Sequence, residues 1–600
     1  MKISALAPLA LLAVSVSGLA IAAPVTTAPR SAHDRLFAFF HASDEQNLKD
    51  HPQSAIYRGD LRYANQLGDN FSDAAGERDY RQALKELAQA RAYNRRGLDA
   101  TDNLALDVFI QQREIDARGS TPAMRALTTV RPMNHFYSFY SGYADFASGQ
   151  GAAPFNTLAD YDSNIARHKQ VAAQIDTAIA QFRKGMKTGV VQPKLVVRNM
   201  VDQLDLILKD GPDNSVFMGP LKKFPAGISA ADQARVTAET KAVVAGGIFP
   251  AYTRLRDFLR GDYLPVARDS VGLSGMPGGD KLYAYMIEAN TTLPLTADYV
   301  HNLGLSEVAR ITAGMDAIRV KTGFKGDLHQ FFAFLNSDPR FTPGSRDDMR
   351  DRFVAIGKRV DVGIPALFST IPKSPLAIRP VPPYREKTDA AGSYEQGTPD
   401  GARPGTFYYN AYDLPARFTW GFETLYLHEA IPGHHFQISL AQENAELPNF
   451  MRFGGNTAFV EGWALYSETL WPDLHMETDP YQRFGGLNDE MLRAMRLVVD
   501  TGIHAKGWTR DQAIKYMRDN SSMSLTDATA EVERYIAIPG QALGYKLGQL
   551  TFLRLKAKAR ADLGSRFDIR KFHAQCLDTG ALPLPILEKK IDAWIAGGGK

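Results

Sequence analysis

The sequence predicts a mainly α-helical protein. From about Ala32 onward, long helix-compatible stretches alternate with short Gly/Pro punctuation, and no repeat of fixed period interrupts them. Helix starts carry their own signals. Ser229-Ala-Ala-Asp232 and Thr509-Arg-Asp-Gln512 each put a hydroxyl at an N-cap position and a carboxylate or amide three residues on. The exception is Pro372 to Gly405, whose seven prolines and four glycines forbid a continuous helix. That segment reads as irregular chain with one or two short strands. It leads into the aromatic β-prone run Thr406-Phe-Tyr-Tyr-Asn410, so a small sheet or hairpin is expected just before the most reactive-looking residues.

With 600 residues, 44% hydrophobic and 22% charged, the chain has ample material for a large core and exceeds the usual size of a single one. Two lobes are expected: a helical N-terminal lobe over 30–270 and a second lobe over 271–600 that carries the strand insert. The boundary falls in the Gly/Pro cluster Gly272 to Gly279. Basic and acidic residues number 69 and 66, for a formal charge of +3, which argues against a nucleic-acid-binding face. The N-terminus, MKISALAPLALLAVSVSGLAIAA, reads as a secretory signal over residues 1–22, cut after Ala22. Nothing later resembles a membrane span, no cysteine stands at the cut to accept a lipid, and the only cysteine is Cys576, so no internal disulfide forms. A periplasmic or secreted protein without stable membrane insertion is expected; oligomeric state stays open.

Three of the thirteen histidines fall within His428-Glu429-Ala430-Ile431-Pro432-Gly433-His434-His435. The preceding Phe422-Glu-Thr-Leu-Tyr-Leu427 is helix-compatible and apolar, which puts His428 and Glu429 in the last turn of a buried helix. Buried imidazoles and a carboxylate need partners, and one zinc ion per chain meets that need. In the familiar His-Glu-x-x-His arrangement two histidines share a helical face and the Glu is the general base. Here Pro432 occupies the place of the second histidine, and the next two stand six and seven residues after His428. On a straight helix, six turns the side chain to the far face and seven moves it about 10.5 Å along the axis. Pro432-Gly433 permits a bulge or a break and restart. Such a distortion favours His434 as second ligand, with His435 the alternative or a substrate contact.

A catalytic zinc usually takes three protein ligands and keeps one position open. Glu461, which opens Glu461-Gly-Trp-Ala-Leu-Tyr-Ser-Glu-Thr-Leu470, is the best third ligand, and Glu468 shares its face two turns later, suited to orient a histidine.

These segments, together with Tyr263-Leu-Pro-Val-Ala-Arg268, Gly272 to Tyr283, Thr292-Leu-Pro-Leu-Thr296, Val499-Asp-Thr-Gly-Ile-His504 with Trp508, and Pro539-Gly-Gln-Ala-Leu-Gly-Tyr545, resemble domain-of-unknown-function family 885, bacterial proteins grouped with gluzincin-type zinc metallopeptidases. The resemblance covers nearly the whole mature chain. It implies a large helical metallopeptidase-like fold with a deep cleft, His428, one of the following histidines and Glu461 as metal ligands, and Glu429 as base. The lengthened spacing before Gly433-His434 is similar to that family's own pattern, and it bars direct transfer of residue roles from peptidases with the shorter motif.

The expected reaction is hydrolysis of peptides by a metal-activated water, with Glu429 taking its proton. The oxyanion needs a further donor, for which Tyr545 and His504, then Tyr535, are candidates on later helix-prone stretches. The run from Gly405 through Tyr408, Tyr409 and Asn410 could offer backbone groups to an extended peptide on an exposed sheet edge. Arg534 could bind a peptide carboxylate. Two other functions use the same residues: a zinc hydrolase of a non-peptide amide or ester, and a catalytically silent zinc-containing binding protein, which would have no use for Glu429 as base.

Overall fold

The computed structural model describes residues 31–382, 386 and 390–600; the expected signal peptide, residues 1–22, lies outside them. Helices run from Ala32–Asp50 to Leu584–Ala596. The cap signals act as their spacing predicts. Ser229 accepts a hydrogen bond from the Asp232 amide, and Thr509 and Gln512 form a reciprocal capping box. None of the described helices is long and apolar enough to cross a membrane.

The Pro/Gly-rich segment supplies the sheet. Its described strands are β1 (Leu376–Pro380), β2 (Gly392–Glu395) and β3 (Gly405–Tyr409), in the spatial order β1-β3-β2. β3 runs parallel to β1, with Phe407 opposite Ile378, and antiparallel to β2, with Phe407 opposite Tyr394. Both hydrogen-bonding edges of β3 are therefore taken. This corrects the expectation that the run from Gly405 to Asn410 offers a free edge to a peptide: it is the central strand.

The apolar core lies in two large clusters, each with residues from before and after residue 270. One joins Tyr140, Phe182 and Tyr252 to Phe484, Met491 and Val498. The other joins Leu36 and Phe109 to Phe407, Trp463, Phe552 and Phe572. Numbering only the helices that build the candidate site, α1 is Phe422–Glu429, α2 His434–Glu443, α3 Thr457–Glu468, α4 Pro480–Lys506, α5 Leu525–Ala537 and α6 Leu543–Leu563.

Two close approaches fix how these helices meet. The first is the crossing of α3 and α6: a Cβ on Gly548 would stand 1.9 Å from the Ala458 carbonyl, and one on Gly462 would stand 2.4 Å from the Gly548 Cα. Only glycine fits there, because any side chain meets backbone that cannot move aside; overpacking of this kind costs roughly 1–3 kcal/mol or more. The second is the turn between α1 and α2. α1 ends at Glu429, the chain leaves helical geometry at Ala430, and α2 restarts at His434. A Cβ on Gly433 would come within 1.9 Å of the His428 carbonyl, so the tight return of the chain onto the end of α1 requires this glycine. The Trp463 indole N–H, on α3, donates to the Pro432 carbonyl at 2.9 Å and ties that turn to the second core cluster.

Candidate metal centre

The break between α1 and α2 brings His434 back beside His428. Their ring centroids are 4.8 Å apart and the rings nearly perpendicular. Glu461, on α3, faces both: its Oε2 lies 3.3 Å from His434 Nε2 and 3.7 Å from His428 Nε2. One ligand atom from each of the three residues falls within 4.8 Å of the others. The edge of a tetrahedron built on zinc bonds of 2.0–2.2 Å is about 3.3–3.6 Å, so the 3.3 Å separation falls within that range and the 3.7 Å separation just beyond it.

The surroundings orient the donors. The His428 ring lies 2.7 Å from Glu468 through Nδ1, and Thr424, one turn earlier on α1, donates to the other Glu468 oxygen at 3.0 Å. With Nδ1–H held by a carboxylate, Nε2 is the nitrogen turned toward Glu461, and it is the one that would give up its proton to a metal bound there. Burial alone would drive His428 toward neutrality, but the Glu461 and Glu468 carboxylates outweigh it and raise the imidazole to about 9. Burial likewise opposes charge on Glu461, yet the facing histidines hold its carboxyl well below the usual range. The three groups together favour positive charge at their centre. Glu468→Gln keeps the shape of the contact and removes its charge. We expect zinc affinity to drop roughly 10- to 100-fold, read by competition with a chromophoric chelator, with the helical circular dichroism unchanged.

Glu429 follows His428 at the end of α1. It is 8% exposed and has no hydrogen-bond or ion-pair partner among the described residues, yet its charge reaches His428. A carboxylate beside the donors and not taken up by a neighbouring side chain is available to a ligand or a reacting water.

His435 points elsewhere. Its Nδ1 lies 3.1 Å from the Tyr394 hydroxyl of β2, it abuts Gly405 of β3, and burial pulls its basicity down to about 4. The structure thus brings His434, and not His435, to Glu461. His504 is also committed: Nδ1 accepts from the Leu273 amide at 3.2 Å and Nε2 donates to the Tyr535 carbonyl at 3.0 Å, which leaves neither nitrogen for an oxyanion. The Tyr535 hydroxyl, fully buried, donates to Glu531 and accepts from Arg496. Tyr409 is buried, with its hydroxyl 3.5 Å from the Arg346 carbonyl, and Asn410 donates to the Glu386 carbonyl at 2.7 Å; both stabilise the sheet from within. Tyr408 lies on β3 opposite Arg379 and Ser393. Tyr545 and Arg534 remain together: Arg534 Nη2 donates to the Tyr545 hydroxyl at 3.1 Å. Three residues not singled out from sequence join them: Arg493 and Arg496 of α4, and Tyr137. Two arginines a turn apart in the apolar-rich stretch Met491 to Val499 are the available signal; Tyr137 has none.

A large helical scaffold with two histidines and a glutamate converging at a helix break defines a protein with a candidate metal centre. The chain belongs to the family described as "Bacterial protein of unknown function (DUF885)", whose model matches residues 52–591. A crystal structure of a candidate lipoprotein from Colwellia psychrerythraea is 27% identical with a TM-score of 0.88, covering 94% of this chain and 100% of that one. A candidate lipoprotein of unknown function from Shewanella oneidensis is 19% identical with a TM-score of 0.70, covering 92% of this chain and 99% of that one. The fold is shared with both. A search of curated proteins returns no match.

Proposed function

We propose that the protein is an exported zinc metallopeptidase that hydrolyses peptides at the cluster of His428, His434 and Glu461. The observation that carries this is the pairing of a three-donor set with an adjacent carboxylate, Glu429, 8% exposed and without a hydrogen-bond partner among the described residues. A purely structural zinc site is usually closed by four ligands and needs no such base. A zinc ion held by these residues would supply Lewis-acid polarisation of the substrate carbonyl and make a bound water acidic. Glu429 takes a proton from the attacking water and returns it to the departing amine, so water is added across the C–N bond and an acid and an amine result. Glu468 keeps the His428 ring in register throughout. Export is supported by the signal-like N-terminus and by relatives described as candidate lipoproteins.

The test is hydrolysis of a mixed peptide library, read by mass spectrometry, before and after chelation. Cleavage that stops with chelator and returns with added zinc is expected. Cleavage of ester or non-peptide amide probes alone would move the function to that class of hydrolase, and metal retention with no turnover would leave a binding protein.

A further inference from the structure

A group of arginines beside the cluster has no part in the chemistry proposed above. Arg493 and Arg496 stand one turn apart on α4, and Arg534 lies on α5. The Arg496 guanidinium sits 4.2 Å from the centre of the Tyr545 ring, whose hydroxyl receives Arg534. Arg493 comes within 4.0 Å of Glu468, the carboxylate that holds His428. Tyr545 is also close to the cluster through the helix crossing, since it stands one turn before Gly548, and Gly548 touches Gly462, the residue after Glu461. Tyr137, 61% exposed, lies within electrostatic reach of both Arg534 and Glu461.

Each of these guanidiniums finds acceptors for only part of its donors: among the described residues Arg493 Nε, Arg496 Nη1 and Arg534 Nε are buried and make no hydrogen bond. Arg534 Nη2 also donates to Gln541 at 2.8 Å, and Arg534 Nη1 stands 3.6 Å from Glu531 Oε1, while Arg496 at 2.9 Å and the Tyr535 hydroxyl share the other Glu531 oxygen. Leaving a buried charged N–H unbonded is unfavourable, and several pointing into one neighbourhood call for an anion with more than one oxygen.

We propose that Arg534 and the Tyr545 hydroxyl receive the C-terminal carboxylate of a bound peptide, with Arg496 packed against the Tyr545 ring to hold it in place, and so direct cleavage to the C-terminal end. This substrate class presupposes the peptidase function proposed above. An acidic side chain presents the same group, so the test must separate the two sources.

The experiment uses the full chain carrying Glu429→Gln, loaded with zinc so that peptides stay intact, and calorimetric titration with three N-acetylated pentapeptides. One has a free C-terminal acid, one is its amide, and one is an amide ending in glutamate. The free acid is expected to bind at least ten-fold more tightly than either amide. Arg534→Gln, and separately Tyr545→Phe, should erase that preference by weakening the acid alone, with thermal melts and circular dichroism showing intact folds. Equal affinity for acid and amide overturns the proposal, as does absence of measurable binding by all three. Tight binding of the glutamate amide overturns the C-terminal assignment in favour of an acidic side chain. Acid preference in the absence of hydrolysis by the unmutated chain removes the peptidase function and leaves the carboxylate site standing, so the two failures are separable.

Discussion

Glu429→Gln is expected to keep about one zinc per chain and to lose roughly 10²- to 10⁴-fold in kcat toward any peptide the unmutated protein cleaves. The substitution is nearly isosteric, and Glu429 makes no hydrogen bond among the described residues that an amide would disturb. It is not one of the three converging donors, so metal content should stand. What it loses is a base beside the attacking water. Metal analysis and single-turnover rates on the same preparation check both halves. Loss of zinc would mean that Glu429 is itself a ligand, and undiminished turnover would assign the proton transfer to another group.

The second large effect separates the neighbouring histidines. His434→Ala is expected to abolish stable zinc binding and with it all turnover, a loss greater than the roughly 10- to 100-fold expected of Glu468→Gln, because a direct ligand is removed. His435→Ala should keep its zinc. Its ring serves the sheet through Tyr394 and abuts Gly405, so the loss should appear as a lower melting temperature. Zinc content by plasma emission and thermal melts distinguish the two. The reverse pattern would make His435 the ligand.

How far the sequence reaches differs from residue to residue. The helical class, the caps at Ser229 and Thr509 and the strand through Phe407 follow from local periodicity and turn chemistry, and the structure agrees with each. The donor set was accessible for a similar reason: three imidazoles and an acid in eight residues have few innocent explanations, and Glu461 and Glu468 share a helical face. Sequence spacing left His434 and His435 open, because the deciding fact is a backbone break whose closeness depends on Gly433 fitting under the His428 carbonyl. The central place of β3 is not legible in the sequence for a long-range reason: β1 and β2 flank it only through pairings that no local pattern encodes. The positions of Tyr137, Arg493 and Arg496 around Tyr545 were equally hidden, since they arise from the crossing of α3, α4 and α6 and from a segment about 400 residues away in sequence. His504 looked available only while its partners, Leu273 and Tyr535, could not be seen.

Whether one divalent cation unites α1, α2 and α3 is open to direct measurement by anomalous diffraction from crystals of the zinc-loaded protein, with data on both sides of the zinc absorption edge. A single strong peak bonded to His428 Nε2, His434 Nε2 and Glu461, with Glu429 beside it and unbonded to the ion, is the predicted result. A peak elsewhere, or none at that position in protein that contains stoichiometric zinc, would contradict the assignment of this cluster as the metal centre.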